Sequence, residues 1–283
     1  METAIDVSGL RMRYGVDDVL NGVAFRVGKG EVVALLGPNG AGKTTTIEIL
    51  EGFRMRSAGR VEVLGADPAQ GDERWRARVG VVLQSWRDHG KWRVRELLGH
   101  LGAYYAQPWD AGELMAMVGL DEHADKKIKM LSGGQRRRLD VAIGIVGRPE
   151  ALFLDEPTVG FDPRARQEFH DLVRRLDTTI LLTTHDLAEA EKLADRIVIL
   201  AGGRIIADGT AAELARRIAG EDEVRWTCGG ERHAIFTTES TAFVRKLFGE
   251  YGEAIGELEV RRASLEDTYL ALVREHELEG AGR

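Results

Sequence analysis

The sequence has almost no cysteine, no long apolar segment and no surplus of basic charge. Its 283 residues contain one cysteine, Cys228, so no disulfide can form within the chain, and this composition fits a reducing compartment. No apolar run approaches the roughly 18 residues that a membrane-spanning helix needs. The first ten residues are acidic and lack the basic-then-apolar pattern of an export signal. The sequence therefore predicts a cytoplasmic protein.

The charge balance argues against a nucleic-acid partner. The formal net charge is -7, whereas proteins that bind nucleic acid usually carry a basic face. Hydrophobic residues at 43% and charged residues at 30% are ordinary for a globular protein. The length suffices for one medium-sized domain and a small appendage.

Apolar runs and helical periodicity alternate along the chain in the manner of an α/β protein. Residues 4–30 form short extended pieces separated by glycines, which predicts antiparallel strands. The continuous apolar run at 31–37 indicates a strand buried on both faces of a parallel sheet. Helical patterns fill residues 93–147, and strands and helices alternate again from 151 to 200. We expect a parallel core sheet with N-terminal antiparallel strands and a helical insert.

Two domains follow from this pattern. We expect the α/β domain to occupy residues 1–220, with its helical subdomain at about 86–148. The remaining residues, 221–283, have the pattern strand, strand, helix, strand, helix. They predict a small α+β appendage.

The segment GPNGAGKT, from Gly37 to Thr44, fits G-x-x-x-x-G-K-[ST] and lies between the buried strand and a helix. Glycines let backbone N–H groups approach phosphate oxygens, and the helix that follows adds unpaired donors and a positive dipole end. Lys43 supplies a charge for the β- and γ-phosphates, and Thr44 offers a hydroxyl to Mg²⁺. The alternative is a turn that only joins strand to helix. The nucleotide contacts expected here are Gly37, Pro38, Asn39, Gly40, Ala41, Gly42, Lys43, Thr44 and Thr45.

A second chemical motif ends the apolar run ALFL at 151–154. Asp155 follows at the carboxyl end of the predicted strand, where it can hold Mg²⁺ near Thr44. The side chain of Glu156, one residue further, points differently and can polarise an attacking water. Acidic residues are common at strand ends, so this motif gains its meaning from the glycine loop.

The motif LSGGQ at 131–135 identifies a protein family more specifically than any other motif in the chain. Together with the loop at 37–44 and LFLDEP at 152–157, it resembles the ATP-binding-cassette (ABC) ATPases over about residues 3–215. This resemblance implies a P-loop NTPase cassette with a RecA-like core that binds ATP and Mg²⁺. From the residues alone, LSGGQ is either a second phosphate-binding helix N-terminus or a simple helix cap.

The family resemblance also implies a head-to-tail cassette dimer, in which LSGGQ of one subunit closes over the triphosphate of the other. VGFD at 159–162 is similar to the family's dimer-interface loop, with Phe161 where leucine is usual. A homodimer and a pair with a sister cassette both remain open. The residues implied to act on the partner's nucleotide are Ser132, Gly133, Gly134, Gln135 and Asp162.

Three further residues match functional positions of the family. Gln84 resembles the glutamine that reaches Mg²⁺ and the attacking water, and His185 resembles the histidine that contacts the γ-phosphate. With Glu156, they form the catalytic set that the resemblance implies. Tyr14 matches the aromatic residue that stacks on adenine. Ordinary packing of Tyr14 and a solvent-facing His185 are the alternatives.

Two sequence segments indicate a particular group of ABC ATPases. PTVGFDP at 157–163 and SLEDTYLALV at 264–273 resemble bacterial export cassettes of the daunorubicin-resistance type, with Tyr269 where phenylalanine is usual. The resemblance implies export of a drug, antibiotic, lipid or polymer. Because no spanning segment is visible, it also implies a separate membrane permease that would hold the chain at the cytoplasmic face of the membrane.

The surface for that permease is expected after Gln84, in SWRDHGKWRVREL at 85–97. Trp86 and Trp92 either line a groove for a short helix of the permease or pack within the helical insert. Coiled-coil, zinc-binding and two-cassette relatives are excluded, because the chain has no sustained heptads, one cysteine and one copy of each motif. A soluble ABC ATPase that serves an assembly process is the remaining alternative.

Overall fold

The computed structural model describes residues 2–82, 89–218, 222–229 and 231–261, together with Tyr269. Contacts divide the chain into two compact units, Met1–Ala207 and Asp208–Arg283. We call these the N-terminal unit and the C-terminal unit and describe each by itself. The domain boundary expected after residue 220 lies beyond this division and stays a prediction.

The predicted strands and helices that fall on described residues follow one another in the predicted order, whereas a short helix at Glu73–Arg76 and a strand at Arg204–Gly209 were not predicted. The strands are β1 (Thr3–Tyr14), β2 (Asp17–Gly28), β3 (Val32–Leu36), β4 (Ala58–Val63), β5 (Val79–Val82), β6 (Ala151–Asp155), β7 (Thr179–Thr184), β8 (Arg196–Ala201), β9 (Arg204–Gly209), β10 (Asp222–Cys228), β11 (Glu231–Thr237) and β12 (Ile255–Arg261). The α-helices are α1 (Lys43–Leu50), α2 (Glu73–Arg76), α3 (Val94–Gly102), α4 (Ala111–Met117), α5 (Gly133–Ile145), α6 (Pro163–Arg175), α7 (Leu187–Leu193), α8 (Ala211–Ile218) and α9 (Ser240–Tyr251).

The first sheet confirms the predicted N-terminal antiparallel strands. Its order is β2-β1-β4, and β1 pairs antiparallel with both neighbours. The side chains of Ile5, Val7, Leu10 and Met12 on β1 are buried in one hydrophobic core with residues of the second sheet. This face-to-face packing explains why the strands carry apolar residues at intervals.

The second sheet has the order β5-β6-β7-β3-β8-β9. The pairs β5–β6, β6–β7, β3–β7 and β3–β8 are all parallel, as the continuous apolar runs predict. Carboxyl ends of parallel strands meet at one edge of a sheet, and ligands bind at that edge in open α/β folds. The segments that follow β3, β6 and β7 therefore lie next to one another.

The helical insert lies between β5 and β6 and contains α3, α4 and α5, in agreement with the prediction. Leu97, Leu114 and Leu139, one on each helix, are fully buried. Helix α5 also approaches β5 closely, because two glycines leave room for it. A Cβ at Gly80 would lie 2.3 Å from the carbonyl oxygen of Gly144, and one at Gly144 would lie 2.5 Å from Val82 Cγ2.

The first helix of the C-terminal unit is α8, whose first turn is closed by a capping box. The Glu213 N–H donates to Thr210 Oγ1 at 3.2 Å, and the Thr210 N–H donates to Glu213 Oε2 at 2.8 Å. Its sheet has the order β11-β10-β12, all antiparallel, with α9 between β11 and β12. The predicted final helix at 264–273 lies outside the described residues, apart from Tyr269. Among the helices that the structure describes, none is long and apolar enough to cross a membrane.

Candidate functional site

The glycine loop joins β3 to α1 at the carboxyl edge of the core sheet. Gly40 and Gly42 have φ values of 81° and 103°, which side chains other than glycine rarely adopt. Gly37 passes so close to β8 that a Cβ would lie 2.2 Å from the Leu200 carbonyl oxygen. Helix α1 begins at Lys43 directly after Gly42, so its first N–H groups lack partners within the helix. The loop thus presents backbone donors where an anion can approach.

Lys43 places a buried ammonium inside this loop. Its Nζ donates to the carbonyl oxygens of Gly37 at 2.8 Å and Pro38 at 3.1 Å, and lies 3.7 Å from Glu156 Oε1. Burial lowers the pKa of Lys43, and the negative charge of Glu156 opposes that shift. A cation held at this position matches a phosphate ligand in charge.

Asp155 and Thr44 meet across the gap between β6 and α1. The Thr44 hydroxyl donates to Asp155 Oδ2 at 3.0 Å, and the Thr183 hydroxyl donates to Asp155 Oδ1 at 2.6 Å. Hydroxyl and carboxylate oxygens are the hard ligands that Mg²⁺ prefers. This donor set therefore fits a magnesium ion shared with a nucleotide.

Glu156 lies in a left-handed backbone conformation, with φ at 44°. Its N–H donates to Thr183 Oγ1 at 2.9 Å. Its carboxylate oxygen Oε1 lies 3.3 Å from His185 Nδ1 as well as near Lys43. Lys43 of the glycine loop and His185 after β7 therefore both lie close to Glu156, which itself follows β6.

Arg137 is a residue of this site that sequence reasoning missed. It projects from α5, is 7% exposed, and donates to the carbonyl oxygens of Asp155, Glu156 and Pro157. Burial lowers the pKa of its guanidinium. Three consecutive arginines at 136–138 are typical of an exposed polar helix face. Nothing in the sequence indicates that Arg137 is the buried one.

Glu51, at the C-terminal end of α1, was also missed. Burial raises its pKa to about 8, and the charges of Asp155 and Glu48 add to that shift. Within the described part of the chain, its Oε1 has no hydrogen-bond partner. A carboxylate there also opposes the negative end of the helix dipole.

Tyr14 ends β1 and is 39% exposed. The guanidinium of Arg54 lies over its ring, 5.2 Å from the centroid, and also pairs with Glu48 at 2.5 Å. One arginine thus joins Tyr14 to the helix that follows the glycine loop. The ring is neither core packing nor free surface, so both interpretations of Tyr14 remain predictions.

The LSGGQ segment opens α5 through a capping box. Ser132 Oγ accepts from the Gln135 N–H at 3.2 Å, while Gln135 Oε1 accepts from the Ser132 N–H at 3.1 Å. Gln135 also contacts Lys126 and His123, both in the helical insert. Gly133 and Gly134 form the first turn of α5.

Asp162 caps α6 by accepting from the Ala165 N–H at 2.8 Å. The Phe161 ring packs edge-on against Phe169 at 6.0 Å between centroids. The role of Asp162 at a subunit interface stays a prediction.

Gln84 and Trp86 lie outside the described residues. Trp92 is half-buried between the rings of His89 and His100, at centroid distances of 5.4 and 5.0 Å. Tyr104 continues this row of rings at 5.4 Å from His100 and is exposed. Trp92 therefore belongs to an aromatic row along α3 that includes exposed members.

The chain is similar to known proteins over most of its length. The family model described as ABC transporter matches residues 20–159, a range that contains the glycine loop, LSGGQ and Asp155. The chain is 44% identical over 229 residues to the daunorubicin resistance ATP-binding protein DrrA3 of Streptomyces coeruleorubidus, covering 78% of this chain and 72% of that protein. It is 41% identical over 228 residues to Nod factor export ATP-binding protein I of Ralstonia nicotianae, covering 78% and 71%. A solved ATP-binding subunit of an ABC transporter aligns with a TM-score of 0.71 at 26% identity, covering 95% of this chain and 99% of that chain.

Proposed function

Because this chain belongs to the ABC transporter family and is an ATP-binding subunit with ATPase activity, we propose that two such subunits power export through a separate membrane permease. The observation that carries the proposal is the convergence on Glu156, which lies between Lys43 of the glycine loop and His185 after β7. A phosphate-binding cation, a carboxylate base and an imidazole within contact of one another are the parts that ATP hydrolysis needs.

ATP binds along the glycine loop in this proposal. Backbone N–H groups of the loop and of the first turn of α1 hold the phosphate oxygens, and Lys43 neutralises the β- and γ-phosphates. Tyr14 stacks on the adenine, and the Arg54 guanidinium lies over the Tyr14 ring. The loop residues involved are Gly37, Pro38, Asn39, Gly40, Ala41, Gly42, Lys43, Thr44 and Thr45.

Thr44, Asp155 and Gln84 would hold a magnesium ion that comes with the nucleotide. The bound ion would neutralise negative charge on the triphosphate. The 3.0 Å contact between Thr44 and Asp155 supports this assignment for two of the three residues.

Glu156 accepts the proton of the attacking water, and His185 contacts the γ-phosphate while fixing the Glu156 carboxylate. General-base assistance of this kind typically contributes a factor of about a hundred to ten thousand. The Thr183 hydroxyl stabilises the positions of Glu156 and Asp155, because it accepts from the Glu156 N–H and donates to the Asp155 carboxylate.

The second half of each site comes from the partner cassette, most simply a second copy of this chain. Ser132, Gly133, Gly134 and Gln135 of one subunit then contact the γ-phosphate held by the other, and Asp162 lies at the interface. The γ-phosphate bridges the subunits only while it remains attached. ATP binding therefore favours the closed dimer, and hydrolysis favours the open one.

The relatives' names support an export role, because they describe daunorubicin resistance and Nod factor export. The proposed cargo is a drug, antibiotic, lipid or polymer, selected largely by the permease. The chain would be held at the cytoplasmic face of the membrane by that permease. Nucleic acid is not expected among its partners. A membrane preparation that yields no co-purifying membrane protein would instead favour the soluble assembly ATPase.

The experiment for this function is Glu156→Gln. We expect the variant to lose most ATP turnover while retaining ATP-dependent dimerisation measured by analytical ultracentrifugation, since the amide keeps the shape but cannot accept the proton. Glu150→Gln is the matched control, because Glu150 lies just before the other end of the same strand and pairs with Arg78. Turnover like wild type in Glu156→Gln would remove the base from its assigned role.

A further inference from the structure

We propose that Arg137 is a positioning residue for ATP hydrolysis, which holds the Glu156 backbone in the orientation that the catalytic base requires. The inference rests on the proposed function, because it assigns Glu156 the role of base. Arg137 lies on α5, outside the loop and strand motifs that carry the reacting groups.

Arg137 binds the backbone of the segment that contains Glu156. Its Nε donates to the Pro157 carbonyl oxygen at 2.8 Å, and its Nη2 donates to those of Asp155 at 3.0 Å and Glu156 at 3.3 Å. One guanidinium therefore bonds three consecutive carbonyl groups. Asp140 lies 4.0 Å from Nη1, on the next turn of the same helix, and balances part of the buried charge.

The target segment needs external support. Glu156 has φ at 44°, a region that residues with a Cβ occupy only at a cost in free energy. Such a conformation persists when the surrounding structure determines it from several sides. Here Thr183 holds the Glu156 N–H and Arg137 holds the Glu156 carbonyl. Both peptide groups that flank the Glu156 side chain are thereby fixed.

The conformation of Glu156 decides where its carboxylate lies. In the observed backbone, Oε1 lies 3.3 Å from His185 Nδ1 and 3.7 Å from Lys43 Nζ. A return of Glu156 to an extended conformation would turn the side chain away from both groups, because Cβ direction follows the backbone dihedrals. The effect of Arg137 on hydrolysis is therefore exerted through the base.

Arg137 projects from helix α5, which packs closely on β5. The close approach occurs at Gly80 and Gly144, where an added Cβ would clash. The same helix begins at the Ser132 cap, about 7–8 Å along the axis from Arg137. Arg137 thus connects the LSGGQ helix to the catalytic loop of its own subunit.

The test compares Arg137→Gln and Arg137→Lys with Arg136→Gln. Arginine donates through a rigid planar fork, whereas lysine offers a point charge and glutamine neither. We expect Arg137→Gln to lower kcat at least tenfold and Arg137→Lys to give an intermediate kcat. The Kd of a fluorescent ATP analogue should stay within about twofold of wild type in both. Arg136→Gln removes the same charge from the same turn of α5 and should turn over ATP like wild type.

A second readout separates positioning from general damage. In a Glu156→Gln background, Arg137→Gln should leave ATP-dependent dimerisation unchanged, since the bound state does not need the base. Wild-type kcat in Arg137→Gln, or parallel losses of ATP binding and turnover, would overturn the proposal. If Arg137→Gln does not fold, Arg137→Lys decides, because wild-type kcat in that variant would contradict the need for the fork. Turnover of wild type and of Glu156→Gln, measured alongside, tests the proposed function separately.

Discussion

Thr183→Val is a sensitive perturbation of the site, since valine keeps the size and branching of threonine and removes only the hydroxyl. That hydroxyl is fully buried on β7, accepts from the Glu156 N–H at 2.9 Å and donates to Asp155 Oδ1 at 2.6 Å. The substitution therefore removes support from the base and from a proposed magnesium ligand at once.

The magnitude follows from the two hydrogen bonds. Loss of a bond to a carboxylate costs about 1.5–3 kcal/mol, and a buried N–H left without a partner costs about 1–3 kcal/mol. These terms overlap, and we expect Thr183→Val to lower the free energy of unfolding by about 2–4 kcal/mol. If misorientation of Glu156 raises the activation barrier by about 1.4 kcal/mol, kcat falls about tenfold.

The assay pairs urea unfolding of the nucleotide-free protein with steady-state ATP turnover. Thr179→Val is the matched control, since Thr179 lies at the other end of β7 and accepts one bond, from the Gly30 N–H at 3.0 Å. It should cost about 1 kcal/mol of stability and leave kcat unchanged. Equal kcat in the two valine variants would refute the reasoning, as would wild-type stability of Thr183→Val.

Two further predictions concern a partly buried acid, Glu51, and the aromatic row that contains Trp92. Glu51→Gln should stabilise the nucleotide-free protein at pH 8 and above and change little near pH 4, because folding raises the pKa of Glu51 from 4.5 to about 8. The charge of Glu51 therefore lowers the free energy of unfolding of the wild type increasingly as pH rises through that window, by up to roughly 4 kcal/mol. Urea melts in which variant and wild type differ by the same free energy at every pH would contradict this prediction. Trp92→Ala should preserve ATP binding and weaken co-purification with the permease. Lys91→Ala, at the exposed neighbouring residue, is the control and should leave co-purification unchanged. Unchanged co-purification of Trp92→Ala would indicate that the ring only packs within the helical insert.

Most of the fold could be predicted from the sequence, because strands and helices that are buried on one or both faces have recognisable patterns of apolar residues. The run EVVALLG indicated a strand covered on both faces, and β3 lies between its parallel neighbours β7 and β8. The predicted helical interruption between β5 and β6 is confirmed, as is the strand and helix order of the C-terminal unit within the described residues.

Site residues divide according to how their contacts arise. Gly37, Gly42 and Lys43 were predicted, since a loop that presents backbone donors needs fixed residue types at fixed spacing. Thr183 and Arg137 were not predicted, because the partners of Thr183 are 27 and 28 residues away and those of Arg137 are 18 to 20 residues away. A threonine in an apolar strand and one arginine among three carry no local signal of such contacts.

Mixing two inactive variants tests the shared nucleotide site most directly. Lys43→Ala disables the loop of one subunit and Ser132→Arg disables the LSGGQ segment of the other, so their mixed dimer contains one site with both halves intact. Each variant alone should be inactive, and an equimolar mixture should recover ATP turnover up to about a quarter of wild type, because half the dimers are mixed and each has one site of two. A mixture no more active than the separate variants would contradict the account.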